Sequence, residues 1–132
     1  MYFSEQALVD CGTGFGMNGC HGGLMNDAFP WTAEHGMVLQ ADYPYTGVEG
    51  KCKLNNADIV KQKVNKSYAS VPIDNNQELV AAIYKAPVSV AIEADYIQLY
   101  NGGIFDDWSC GTDLDHGAVS YTHLTLPTIC SV

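Results

Sequence analysis

Basic side chains are scarce in this chain. Lysine and arginine number 6 against 15 aspartates and glutamates, a formal net charge of −9 at pH 7. The sequence therefore offers little of the cationic surface that supplies most of the affinity for a phosphate backbone, and nucleic acid is excluded as an expected partner. Also missing is any apolar run near the roughly 20 residues that a membrane helix needs. The start, Met1-Tyr2-Phe3-Ser4-Glu5, lacks the basic and apolar stretches of a signal peptide. No membrane partner is expected, and export cannot be read from this end. Internal repeats and low-complexity segments are absent as well. What remains is 132 residues, 47% hydrophobic and 16% charged, the balance of a packed single core and not of a disordered tail.

Cysteine is better represented. Cys11, Cys20, Cys52, Cys110 and Cys130, with the sequon Asn65-Lys66-Ser67, point to an oxidising, glycosylating compartment. The odd count leaves at least one cysteine without a partner, as a missing stretch of chain would.

Local patterns give a coarse fold. Ser4 can cap a short helix over 5–10 that stops before Cys11-Gly12. The glycine-rich stretch GTGFGMNGCHGG that follows reads as loop, able to bring backbone close to a peptide. Apolar residues at 24, 25, 28, 29, 31 and 33 outline a buried helix face ending at Gly36, with Pro30 expected to kink it. The turn Asp42-Tyr43-Pro44-Tyr45-Thr46-Gly47 is expected to pack its aromatics over the helix. Asp74-Asn75-Asn76 can cap a helix over 77–85 that buries Leu79, Val80, Ala82 and Ile83. Residues 88–93 alternate as a strand does, and Ile104-Phe105 and Ala118-Val119 also read as β. Helices first and strands second give an α+β class. Residues 120–132 change character and read as a foreign tail of the kind a shifted reading frame leaves, so His123 and Cys130 carry no functional weight.

Cysteine and histidine together allow three readings: disulfides, a metal site, or a thiolate with its imidazole base. Structural zinc wants ligand pairs about two to four residues apart, a spacing that Cys11 and Cys20 do not have, so no metal site is expected. A thiolate nucleophile needs a histidine within hydrogen-bond reach and a third group that fixes the ring. His116, in LDHGAV at 114–119, is the candidate, with an ordinary buried histidine as the alternative. Asp115 does not decide between them, because strand neighbours face opposite sides.

Six ordered stretches carry a resemblance: SEQALVDC at 4–11, GCHGGLMNDAF at 19–29, YPYTG at 43–47, PVSVAIEA at 87–94, YNGGIF at 100–105 and LDHGAV at 114–119. In these the chain resembles the papain family of cysteine proteases, cathepsin L-like, over residues 4–119. The resemblance implies an incomplete two-lobed fold, part of a helical lobe and part of a β-barrel-like lobe, with residues 1–119 as a partial peptidase domain. His116 matches the catalytic histidine. The family's nucleophilic cysteine lies roughly 130–150 residues before its histidine, which counts back past Met1, so the nucleophile is expected outside this chain. The orienting asparagine in its Asn-Ser-Trp motif and the oxyanion-hole glutamine are missing too.

By the same resemblance Cys11 and Cys52 form a disulfide, worth roughly 3 to 4 kcal/mol for a loop of that length, while Cys20 and Cys110 are left as orphaned thiols. Gly22 and Gly23 present backbone to an extended substrate. Leu24, Met25, Ala91, Leu114 and Gly117 match the hydrophobic pocket for the residue two positions before the cut, although core packing is an equal reading for Leu24 and Leu114 taken singly. His21 stands where the family usually has asparagine. The implied activity is cysteine-type endopeptidase, with peptide or protein substrates, protein inhibitors of cystatin type as further partners, no cofactor, and a lysosomal or secreted setting. Triad members act as a unit, so this chain alone is expected to turn nothing over. A non-catalytic module that binds peptide or inhibitor, and a homologue that has lost its cysteine, are the alternatives.

Overall fold

The computed structural model describes residues 2–54, the backbone of 59–60, and residues 67–106, 108 and 110–122. Asn65 of the sequon and residues 123–132 of the expected foreign tail lie outside the described residues. The chain divides into two compact units, Met1–Ala69 and Ser70–Val132.

The first unit starts with helix α1, Glu5–Cys11, one residue longer than expected. Ser4 caps it, its Oγ accepting from the Ala7 amide at 3.0 Å and donating to the Tyr43 carbonyl at 2.6 Å, so one hydroxyl both starts the helix and docks a distant turn. A short 3₁₀ helix at Gly19–His21 interrupts the glycine-rich loop, and α2 follows at Met25–His35. Pro30 does not end α2. The only helical bond it removes is the one to the Asn26 carbonyl, in an exposed first turn where water can serve as partner. Strand β1, Met37–Val38, pairs antiparallel with β2, Ile59–Val60. The core is small: Trp31, 1% exposed, packs with Met17 and Met37, and Phe3, Leu8, Cys11, Ala28 and Leu54 close around them.

The tyrosine turn does not pack as an apolar lid. Tyr43 reaches α1 through its hydroxyl, which donates to Asp10 Oδ2 at 2.7 Å, and Asp10 Oδ1 accepts from Gln6 Nε2 and the Gly50 amide, both at 2.8 Å. Gln6 completes the clasp, donating to the Val48 carbonyl and accepting from the Thr46 amide. The disulfide Cys11–Cys52, with Cα atoms 4.7 Å apart, fixes the same segment covalently one residue along. Burial pushes the Asp10 carboxyl up, but the hydrogen bonds from Tyr43, Gly50 and Gln6, with the charge of Lys53, outweigh it and hold Asp10 below the ordinary 3.8. Burial and the bond to Asp10 raise Tyr43 above 10.0.

The second unit holds α3, Asn76–Lys85, capped by the Asn75 side chain accepting from the Glu78 amide at 3.1 Å. It also holds strands β3, Val88–Ile92, and β4, His116–Ser120, paired antiparallel from Val88↔Ser120 to Ile92↔His116. The ladder thus runs one residue beyond 119. Two expectations fail in this unit. The apolar face of α3 is only half covered, with Val80 52% exposed, and among the described residues no side chain of the unit is fully buried. A helix face is buried only where another element lies on it. Ile104 and Phe105 form no strand, and Ile104 is 94% exposed, because an apolar pair becomes a strand only when a neighbour supplies the ladder.

Candidate functional site

Each unit carries part of the expected site. In the first, the 3₁₀ helix ends in Gly22 at φ 91, ψ −170, a conformation essentially reserved to glycine. Both polar groups of Gly22 are used locally: its carbonyl accepts from the Asn18 amide at 2.8 Å and its amide donates to Gly19 at 3.3 Å. Leu24, which caps α2, has its carbonyl taken by the amides of Asp27 and Ala28. Between them Gly23 is exposed, and among the described residues its N–H and C=O have no partner. That is one free donor and one free acceptor on one residue, the unit that pairs with an extended peptide. Beside it lies a shallow groove of about 240 Å³ lined by Leu8, Met17, Gly22, Gly23, Leu24, Met25 and neighbours. Leu24 is 66% exposed, so packing in the core of its own unit is not its role.

In the second unit His116 opens β4 and its side chain is exposed. Cross-strand partners share a face and successive residues alternate. His116 therefore stands on one side of the ladder with Ile92, Val90 and Ala118, while Ala91 and its partner Gly117 stand on the other. The ring and the Ala91–Gly117 pair of the expected pocket thus use opposite faces of the ladder. Leu114, two residues before His116, is 62% exposed. Asp115 does not serve the histidine: its Oδ1 accepts from the Ala94 amide at 2.8 Å while its own amide donates to the Ile92 carbonyl at 3.1 Å. Glu93 does the same from the other strand, its Oε2 accepting from the Asp113 amide at 3.3 Å. Two carboxylates thus clasp the neck of the 93–115 loop and fix where β4 begins.

The structure therefore brings Gly22, Gly23, Leu24 and Met25 together in one groove, and Ala91, Gly117 and His116 together on one ladder. Cys11 and Cys52 are joined, and Cys20 and Cys110 are exposed free thiols. Sequence reasoning missed Met17, which forms part of the groove floor; its signal is a long apolar side chain in the middle of a glycine-rich loop. It also missed the Glu93 and Asp115 clasp, which no local pattern announces.

Comparison with known proteins follows the same lines. A family model described as papain family cysteine protease matches residues 1–122. Oryzain beta chain of Oryza sativa subsp. japonica is 42% identical over 120 residues, covering 89% of this chain and 25% of its own length. Cysteine proteinase RD21A of Arabidopsis thaliana is 46% identical over 122 residues, again 89% of this chain and 25% of its own. Among solved structures, the Carica candamarcensis cysteine protease CMS1MS2 in complex with E-64 superposes with a TM-score of 0.79 at 36% identity, over 90% of this chain and 55% of that one. This chain spans about a quarter of the length of those two curated relatives.

Proposed function

Because the chain belongs to the papain family of cysteine proteases, we propose that it supplies the peptide-pairing backbone and the general acid–base histidine of a cysteine endopeptidase. Gly23 carries this reading. Its open N–H and C=O would hold a substrate backbone in extended form. Leu24 and Met25 would offer apolar surface to a substrate side chain beside Gly23, and in the second unit Ala91, Leu114 and Gly117 would offer apolar surface of their own. His116 would stabilise a cysteine thiolate as imidazolium, give its proton to the leaving amine, and then take one from the water that hydrolyses the thioester.

Neither partner of the Cys11–Cys52 bond is free to attack, Cys20 and Cys110 match other positions of the family pattern, and Cys130 falls in the stretch read as a foreign tail, so the thiolate would come from polypeptide outside these residues. The proposed partners are peptide and protein substrates and protein inhibitors of cystatin type, all of which could read the open Gly23 backbone. The proposed setting is lysosomal or secreted, supported by a disulfide, which persists in oxidising compartments.

A second reading, a peptide-binding module without catalysis, is favoured by one observation: the pairing atoms of Gly23 sit wholly in the unit that has its own core. A paired measurement on the full chain tests both. Titration with the blocked peptide acetyl-Ala-Phe-Ala-amide should shift the Gly23 amide resonance, while a dipeptidyl fluorogenic substrate should show no E-64-sensitive turnover. Turnover by this chain alone would sink the placement of the nucleophile elsewhere, and an unmoved Gly23 amide would sink the peptide-binding role.

A further inference from the structure

We propose that Met17 is a positioning residue for a bound peptide, the side chain through which the hydrophobic core sets the height of the Gly23 backbone. This rests on the reading of Gly23 as the peptide-pairing residue.

A loop as rich in glycine as residues 12–23 is costly to order, because each glycine loses more backbone freedom on ordering than any other residue. Its own backbone bonds offset part of that cost, and Met17 adds a hold from within. Met17 is 7% exposed and packs on Trp31 and Met37, so its side chain is anchored in the centre of the first unit. A bridge to Thr13 fixes its backbone. Both ends of the loop close over it. A Cβ at Gly12 would collide with the Met17 Cε, and a Cβ at Gly23 would come within 3.0 Å of the Met17 Cα and 3.1 Å of its Cγ.

The three heavy atoms nearest that point above Gly23 all belong to Met17, whereas Gly22 next door has nothing within 4 Å. Gly22 is held by its hydrogen bonds to Asn18 and Gly19 and by no side chain packed over it. Gly23, which carries the open donor and acceptor, rests on methionine. Met17 touches the peptide through none of these contacts. It acts by keeping the N–H and C=O of Gly23 at the level where an extended strand can meet both, and a misplacement of about 1 Å at such a pair is enough to weaken pairing strongly.

The test separates positioning from stability. Met37 belongs to the same core cluster and is equally buried, but it lines no part of the groove. Met17→Ala, Met17→Leu and Met37→Ala are made in the full chain. Urea unfolding gives stability, and the Gly23 amide shift gives the affinity for acetyl-Ala-Phe-Ala-amide. Met17→Ala should bind about tenfold more weakly. Met17→Leu, which conserves volume, should stay within about twofold. Met37→Ala should lose comparable stability yet bind within about twofold of the parent. Unchanged affinity in Met17→Ala overturns the inference and leaves the peptide-binding reading standing. Equal loss in Met17→Ala and Met37→Ala reduces Met17 to a core residue and overturns it as well. A parent chain whose Gly23 amide does not respond to the peptide overturns the underlying reading and this inference with it.

Discussion

Replacing Asp10 by asparagine keeps the shape of the side chain and removes its charge, and the geometry says what that costs. The carboxylate accepts three hydrogen bonds, from Tyr43 at 2.7 Å and from Gln6 and Gly50 at 2.8 Å, in a site where Asp10 is only 8% exposed. Bonds to a charged acceptor contribute about 1.5–3 kcal/mol each and neutral ones about 0.5–1.5. The substituted side chain can keep the bonds from Gln6 and Gly50 in weaker neutral form, and it turns an amide donor toward the Tyr43 hydroxyl, which must then accept where it had donated, so a charged bond becomes a neutral one there too. The summed loss is about 3 kcal/mol, since neighbouring terms do not add fully. In a unit of this size that lowers Tm by roughly 12–24 °C.

Urea unfolding followed by Trp31 fluorescence reads the change. Trp108, 97% exposed, is first replaced by phenylalanine so that buried Trp31 is the single reporter. The pH dependence sharpens the test. Asp10 is more acidic folded than the 3.8 of the free side chain. Its contribution is therefore present above about pH 4 and fades as pH falls through the lower folded value, so the gap between the parent and Asp10→Asn should shrink toward zero in acid. Tyr43 has the opposite sign: its folded value lies above 10.0, so its share holds below pH 10 and is lost at more alkaline pH. An Asp10→Asn midpoint equal to the parent at neutral pH, or a gap that stays constant into acid, would refute the clasp as a source of stability.

Three further outcomes are expected. Reducing the Cys11–Cys52 bond, which closes a separation of 41 residues, should lower the stability of the first unit by about 4 kcal/mol in the chain-entropy model, and a reduced chain with an unchanged urea midpoint would contradict it. Gly22→Ala should cost about 1–3 kcal/mol through backbone strain alone, since its Cβ would meet nothing within 4 Å; a midpoint unmoved by the substitution would mean that the backbone relaxes freely there. His116→Gln should change stability by less than about 0.5 kcal/mol, because the ring is exposed, while abolishing fluorogenic turnover in the whole protease that carries it; retained turnover would remove His116 from the acid–base role.

What the sequence could and could not reveal divides along physical lines. Ser4 and Asn75 were legible as caps because a cap is settled within three residues of chain. The strand at 88–92 was legible because alternation is local. The clasp was not: Gln6 and Asp10 sit four residues apart on α1, but the partners that complete it lie 33 and more residues away across the chain and no period announces them. Tyr43 was read by its ring and is held by its hydroxyl. The half-covered face of α3 and the missing strand at Ile104–Phe105 failed for one shared reason: amphipathic or apolar character states what a segment could bury, and only a neighbouring element decides whether it does. For the site, the glycines and His116 could be picked out from motifs. That Gly23 and not Gly22 keeps its backbone pair open follows only from two local bonds, the Asn18 amide to the Gly22 carbonyl and the Gly22 amide to Gly19.

The two units differ in a way that bears on how the site is held. The first has a buried tryptophan, a saturated polar clasp and a disulfide, all within residues 1–69. The second has a capped helix and a two-stranded ladder, with no fully buried side chain among its described residues. A lone two-stranded ladder is marginal in water. The precision of His116 therefore depends on three local devices: the register Ile92↔His116, the Asp115 bond to the Ala94 amide, and the Glu93 bond to the Asp113 amide. Slow amide exchange should follow this division, with the Trp31 helix protected close to the global limit and the β3–β4 ladder opening at much lower free energy. Covering the face shared by Val90, Ile92 and Ala118 would protect the ladder and steady the imidazole together, because His116 stands on that same face. Gly23 is thus set by a core its own unit contains, and His116 by the register and the two carboxylate bonds of its own ladder.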